Sequence, residues 1–345
     1  MKAEMEQVIR EDMAYICDRT DHTAIDGSKV LISGATGLIG KYLVRFLVEY
    51  CGCQVLAVVR DLQKAHRFFK DLGDRVEYIC SDIVELEALD KSVDYIIHGA
   101  SMTASKSFLT QPAEVIYTSV EGTRRMLEFA RVNKVKGFVY LSTMEVYGVP
   151  ETEEKICEES GTSLDTMSVR TSYPESKRLC ENLCTAYASE YQVPARVVRL
   201  TQTFGPGVEY EDSRVFAEFA RCVIEGKDII LHTNGDTRRN YLYLADACTA
   251  VLTVMTKGIS GEAYNAANEA AYCSIREMAE LAAMQNTDGN VQVRIEADHG
   301  YEQKMGYAPV LKMKLDTSKL QKIGWMPETG LSDMFRRMIA CMSKA

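Results

Sequence analysis

Residues 29–40, Lys-Val-Leu-Ile-Ser-Gly-Ala-Thr-Gly-Leu-Ile-Gly, limit the possible folds more than any other stretch of this chain. An apolar run ends at Gly34, and Gly37 and Gly40 open an amphipathic pattern from Lys41 to Tyr50. The order is strand, tight turn, helix. Glycine at 34 permits the sharp turn, glycine at 37 leaves no Cβ where a pyrophosphate approaches, and glycine at 40 lets the helix sit close on the strand. The first turn of the helix offers unpaired N–H groups to phosphates, which makes Thr36, Leu38 and Ile39 cofactor contacts along with the three glycines. A three-glycine turn also occurs in ordinary chain reversals, so its meaning depends on what surrounds it.

The surroundings alternate. Val30–Ser33, Val55–Val59, Val76–Cys80, Tyr95–His98, Phe138–Ser142 and Val197–Leu200 are short apolar runs rich in β-branched residues, as expected of strands buried on both faces of a parallel sheet. Helical patterns separate them at Lys41–Tyr50, Leu62–Leu72, Val115–Asn133 and Pro174–Tyr191. This predicts an α/β chain built on a doubly wound parallel sheet, the Rossmann arrangement. Residues 1–27 read as a helix, Glu4 to Cys17, and a polar connector preceding the dinucleotide-binding domain at 28–203. After the turn Phe204-Gly-Pro-Gly207 the pattern changes. A helix is expected near Val215–Glu225, with short elements at Ile229–His232, Met278–Met284 and Val291–Ile295. Residues 204–236 and 258–345 are assigned to a smaller substrate-binding lobe, and 237–257 return to the large domain as a helix.

A chain of 345 residues can bury a large core. Its net charge of −9 argues against a nucleic-acid surface. No apolar stretch approaches the roughly 20 residues of a membrane span, and the N-terminus lacks an apolar signal core. The 11 cysteines are scattered and odd in number, without a Cys-x-x-Cys, and read as reduced thiols of a cytoplasmic protein. No Cys/His spacing indicates a metal, and His22, His66, His98, His232 and His299 are isolated structural residues rather than ligands.

Tyr173 and Lys177 stand at i and i+4, on one face of a helix. An ammonium near a phenol favours phenolate, and a phenolate can take the proton of a sugar alcohol as hydride leaves its carbon. Lys177 can also hold a nicotinamide ribose. The pair gains specificity from Thr143, which ends a predicted central strand, because ligands bind at the carboxyl ends of such strands.

Gly34-x-x-Gly37-x-x-Gly40, Thr143 before Val146-Tyr147-Gly148, and Tyr173-x-x-x-Lys177, in this order, resemble the extended short-chain dehydrogenase/reductase family, its nucleotide-sugar epimerase/dehydratase group. The likeness runs from about residue 28 to about residue 337. Within the group the chain looks most like UDP-glucuronate decarboxylases. Arg170-Thr-Ser-Tyr173-Pro-Glu175-Ser-Lys177-Arg178 and Ser142-Thr143-Met144-Glu145-Val146-Tyr147-Gly148 are similar to their segments. Thr203-Phe-Gly-Pro-Gly207, with Asp212-Ser-Arg214-Val215 after it, resembles their loop over the nucleotide. The resemblance implies that Thr143 hydrogen-bonds the sugar O4, Tyr173 is the base, Glu145 faces the reacting part of the sugar, and Arg239 meets the diphosphate or a sugar carboxylate. It also implies that Asp82 and Ile83 touch the adenine, that Ala100 and Ser101 pass beneath the cofactor, and that Ser101, Gln202 and Arg214 reach the substrate.

The chain departs from these relatives in places. Met144 replaces a polar residue and cannot donate a proton, which weakens a 4,6-dehydratase reading more than a decarboxylase one. Gln202 stands where Asn is usual. Arg60 ends the second strand where NAD-specific members place Asp, so the expected NAD(P) cofactor tilts toward NADP; Asp61 remains available to a ribose. Three functions stay open: C4 oxidation of a nucleotide sugar followed by decarboxylation or epimerisation, NADPH-dependent reduction of a ketosugar or small carbonyl, and non-catalytic dinucleotide sensing. Apolar residues Val120, Leu127, Leu179, Leu183 and Tyr187 on two long helical patterns predict a homodimer formed by helix pairing.

Overall fold

A computed structural model describes residues 2–86, 91–150, 152–161, 163–297 and 310–342; His299 lies outside them. Helix α1 (Lys2–Arg19) leads into β1 (Lys29–Ser33), α2 (Leu38–Glu49), β2 (Gln54–Val59), α3 (Leu62–Phe69), β3 (Val76–Cys80) and β4 (Tyr95–His98). Then come α4 (Ser105–Thr110), α5 (Pro112–Asn133), β5 (Gly137–Thr143), α6 (Ser172–Tyr191), β6 (Ala195–Leu200) and β7 (Gln202–Phe204). They are followed by α7 (Val215–Glu225), β8 (Ile229–Leu231), β9 (Arg238–Tyr243), α8 (Leu244–Lys257), β10 (Ala263–Ala266), β11 (Asn268–Ser274) and α9 (Ile275–Ala283). The last elements are β12 (Val293–Ile295), β13 (Lys312–Met313), α10 (Ser318–Lys322) and α11 (Leu331–Cys341).

The main sheet has seven strands in the order β10-β6-β5-β4-β1-β2-β3, and all are parallel. Its side chains alternate between two cores. Val30, Ile32, Val55, Ala57 and Val59 pack with Leu43, Phe46 and Leu47 of α2 and with α8, whereas Leu31, Leu56 and Val58 pack with Met126 and Leu127 of α5 and Cys180 of α6. Burial on both faces is why these strands read as unbroken apolar runs. The seventh strand, β10, has the sequence Ala-Tyr-Asn-Ala and carries no such signal. Smaller sheets stand apart: β11-β9-β13 with β7 beside β9, and a β12-β8 pair.

Two expected elements differ. Residues 237–257 hold a strand, β9, before the helix; its Asn-Tyr-Leu-Tyr stretch joins the four-stranded sheet, and only α8 packs on the large one. The helix expected to reach Leu72 ends at Phe69 and passes into a 3-10 turn, where Gly73 takes φ +63°.

Helix α1 is held by buried polar groups. The carboxylate of Asp12 accepts hydrogen bonds from the hydroxyls of Tyr42 (α2) and Tyr243 (β9) and from Arg337 of α11 at 2.7 Å. The Tyr15 hydroxyl donates to Asp246, which also accepts the backbone N–H groups of Glu328 and Thr329.

Candidate active site

Strand β1 and helix α2 meet at the glycine turn. Gly34 has φ +75°, and a Cβ there would lie 2.8 Å from the Gly99 carbonyl carbon, so the loop after β4 closes on it. A Cβ on Gly40 would lie 2.3 Å from the Gly34 oxygen; only glycine lets α2 pack this near. Gly37 differs. It is exposed, has φ −74°, and its Cβ would touch only the Gly34 oxygen at 3.1 Å. Packing forbids a Cβ at Gly34 and at Gly40, whereas at exposed Gly37 it leaves a single tight contact, with the Gly34 oxygen. No side chain caps this helix end, so its N–H groups remain for a ligand. That cradle fits a dinucleotide pyrophosphate, with half-buried Thr36, Leu38 and Ile39 around it.

The flanking residues divide. Arg60 is exposed at the end of β2, while Asp61 caps α3 by accepting the Lys64 N–H at 2.9 Å through one carboxylate oxygen. Asp82 accepts the Val84 N–H, and Ile83 is buried against Gly122 of α5 with its side chain in the core. His98 bridges Ser33 (2.6 Å) and Thr123 (3.1 Å); complete burial pushes its pKa down to about 3, so it is a neutral tie between β1, β4 and α5. The Ala100 N–H donates to Ser33, and the Ser101 hydroxyl lies 3.4 Å from that of Ser119.

At the carboxyl end of β5 the chain turns into a 3-10 segment, Met144–Tyr147, capped by the Thr143 hydroxyl, which accepts the Glu145 N–H. Gly148 closes the turn at φ +67°, where a Cβ would lie 2.0 Å from the Ser163 oxygen. This turn leaves Thr143 and Glu145 half-buried and sends Met144 into a separate core with Val146, Tyr147 and Ile156. Helix α6 begins at Ser172 with Pro174 in its first turn and carries Tyr173 and Lys177 to the same strand end.

The Tyr173 hydroxyl faces the Thr143 hydroxyl, and its ring stacks on Phe108 of α4, ring centres 4.4 Å apart and planes 7° apart. Burial first, then the Glu145 charge, pushes its phenol well above the ordinary value; Thr143 and Arg170 pull it back. Lys177 donates to the Leu141 carbonyl at 2.8 Å and sits over the rings of Tyr140 and Tyr173, and burial lowers its pKa to about 8. The phenol is thus held up by burial and by Glu145, while the Lys177 ammonium donates to a backbone carbonyl. Arg170 pairs with Glu145 at 3.2 Å and lies over Phe108.

The structure thus brings Thr143, Glu145, Tyr173 and Lys177 together. It adds Phe108 and Arg170, which the sequence reading gave no role. Arg170 precedes Tyr173 by one helical turn, a spacing that signals proximity; Phe108 comes from a short helix with no pattern to mark it. Among the remaining candidates, Gln202 is half-buried opposite Tyr241 in β9, and Arg214 is exposed and paired with Asp212. The Nε of Arg239 and the hydroxyl of Tyr241 are buried with no hydrogen-bond partner among the described residues. Two orphaned polar atoms on one strand mark a place for a polar ligand.

Residues 30–267 match the family described as NAD dependent epimerase/dehydratase. The chain is 26% identical over 316 residues to UDP-glucuronic acid decarboxylase 1 of Xenopus tropicalis, covering 91% of this chain and 72% of that one. It is 27% identical over 301 residues to UDP-N-acetyl-alpha-D-glucosaminuronate decarboxylase of Bacillus cytotoxicus, covering 86% and 91%. UDP-glucuronic acid 4-epimerase of Bacillus cereus, solved with UDP-glucuronic acid and NAD, shares the fold with a TM-score of 0.75 at 19% identity, covering 91% of this chain and 98% of that one.

Proposed function

We propose that this chain, which belongs to the NAD-dependent epimerase/dehydratase family, oxidises C4 of a nucleotide sugar and then removes a carboxyl group from C5. The observation that carries the reading is the convergence of the Tyr173, Thr143 and Glu145 side chains at the end of β5, over a buried Lys177. A bound dinucleotide supplies the hydride acceptor. Thr143 orients the C4 oxygen, Tyr173 takes its proton, and Lys177 holds the ribose side of the site. Met144, whose thioether cannot donate a proton, supports decarboxylation over 4,6-dehydration. Expelling a C6 hydroxyl needs an acid at that position, whereas a β-keto acid loses CO₂ once C4 is a ketone. Arg239 suits the diphosphate, Gln202 and Arg214 the nucleotide, and Ser101 the sugar. A sensor has no use for a Tyr–Lys–Thr set at a strand end.

The exposed Arg60, beside an Asp61 engaged in capping, favours NADP. Arg60→Asp should shift preference toward NAD; unchanged preference removes Arg60 from the site. The 11 free cysteines suit a reducing cytoplasm, and among the described residues no helix is long and apolar enough to cross a membrane. The smaller sheets and α7, α9, α10 and α11 form the substrate lobe of this reading. Pairing through α5 and α6 would make a homodimer. Leu127 is buried in its own core and drops out of that interface, while Ile116, Tyr117 and Leu179 are exposed for it; sedimentation as a monomer at micromolar concentration would refute it.

The decisive experiment incubates the enzyme with UDP-, GDP-, CDP- and dTDP-sugars, including uronic acids, and follows products by mass spectrometry. Loss of the mass of CO₂ supports the proposal. A product of unchanged mass and inverted C4 assigns epimerisation instead.

A further inference from the structure

The connector between α1 and β1 gathers side chains that catalysis does not use. His22 Nδ1 lies 2.7 Å from the Asp26 carboxylate. Ligand atoms of His22, Asp26 and Cys51 all lie within 4.8 Å of one another. The Cys51 thiol lies beside the Asp26 carboxylate and the Cys53 thiol, and Cys17 Sγ lies 3.5 Å from the other ring nitrogen of His22. Backbone and packing hold these groups in place. The Gly27 N–H donates to the Cys51 carbonyl at 2.8 Å, the Gln54 N–H to that of Ser28 at 3.0 Å, and the His22 ring meets Phe46 edge-on. A cysteine nucleophile activated by histidine would place the Cys51 sulfur on a ring nitrogen. Here the two ring nitrogens face Asp26 and Cys17 instead.

We propose that His22, Asp26 and Cys51 form a structural site for one divalent cation of the Zn²⁺ class, with water completing four-coordination on the exposed Asp26 side. One imidazole, one carboxylate and one thiol suit a borderline-soft tetrahedral ion and not Mg²⁺ or Ca²⁺, which take oxygen ligands. Coordination replaces the Cys51 S–H by a sulfur–metal bond and releases the proton to solvent, with no change of oxidation state. The ion would cross-link the segment before β1, which lies outside the family match, to the turn between α2 and β2.

The test uses the full chain, reduced, stripped with chelator and titrated with Co²⁺ as the spectroscopic probe. One equivalent should bind with a thiolate-to-cobalt charge-transfer band, Zn²⁺ should displace it, and Zn²⁺ should raise Tm. Cys51→Ser should abolish the band. Asp26→Asn, at a half-exposed position that folding tolerates, should weaken binding by at least about tenfold, the range for losing a supporting ligand group. Cys80→Ser, at an exposed thiol, should leave it unchanged. Absence of the band in the parent, the same band in Cys51→Ser, or parental affinity in Asp26→Asn would overturn the proposal. If Cys51→Ser does not fold, the parent titration and Asp26→Asn still decide.

Discussion

Lys177 Nζ donates to the carbonyl of Leu141 at 2.8 Å and lies 5.8 Å from the centre of the Tyr173 ring. The lysine thus fastens α6 to β5 behind the tyrosine. In the protein alone, the groups that favour phenolate are Thr143 and Arg170, and they act against burial and Glu145. The tyrosine and the lysine are two separate physical problems, and they respond to different variants.

Burial lowers the Lys177 pKa from 10.5 to about 8. Between these values the unfolded chain binds a proton that the folded chain does not, so the contribution of Lys177 to stability rises with pH across that window and is flat below it. The full rise is up to about 3 kcal/mol at 1.36 kcal/mol per unit. Denaturant melts of the parent and Lys177→Met from pH 7 to pH 10 should show the parent gaining on the variant as pH increases. A difference independent of pH would show that the amine is not buried in its charged form.

Tyr173→Phe keeps the stacking on Phe108 and removes only the hydroxyl. Turnover should fall by about 10²–10⁴, the usual cost of removing a positioned base. Tm and dinucleotide affinity should stay at parental values. Parental turnover in this variant would end the scheme.

Glu145 raises the Tyr173 pKa through its charge. Glu145→Gln should therefore move the acidic limb of the kcat/KM profile, where the base must lose its proton, to lower pH. Its effect on rate separates chemistries. A 4,6-dehydratase, needing a base at C5, would lose nearly all activity, a 4-epimerase almost none, and a decarboxylase an intermediate share. An acidic limb that stays in place would show that the carboxylate does not act on Tyr173.

Gly37 and Gly40 should fail in opposite ways. In Gly40→Ala the new Cβ meets the Gly34 oxygen at 2.3 Å, a backbone clash that lowers Tm. In Gly37→Val the φ of −74° suits any residue and the new Cβ presses on the Gly34 oxygen only at 3.1 Å, so Tm should fall less than in Gly40→Ala, but dinucleotide binding should be lost. Calorimetry and ligand titration on both variants check the pair. Parental affinity in Gly37→Val would place the cofactor elsewhere.

The layered sheet was legible in the sequence because strands buried on both faces must be apolar throughout; Val30 to Ile32 and Val55 to Val59 serve two cores at once. The strand Ala263–Ala266 escaped because it is short and contains Asn265, whose amide donates to the carbonyls of Ile156 and Asp316. Near Tyr173 the sequence marked groups with their own chemistry and passed over Phe108, whose contribution is a flat surface. Asp61 has a local duty that the sequence reading did not assign, the capping bond from the Lys64 N–H. The His22, Asp26 and Cys51 cluster was hidden because Cys51 comes from the far side of a strand and a helix, so no local spacing records it.

The seat of Asp12 bears on the order in which the molecule can be completed. Its carboxylate is stranded from water yet answered by Arg337, 325 positions away. Synthesis runs from the N-terminal side, so the acid is made long before the guanidinium. Until α11 emerges, the pocket between Tyr42 and Tyr243 would have to take a carboxylate with no cation, a cost of about 3–5 kcal/mol for half of a buried pair. The fully bonded seat of α1 is therefore assembled from segments far apart along the chain, and it can be completed only after α11 has been made.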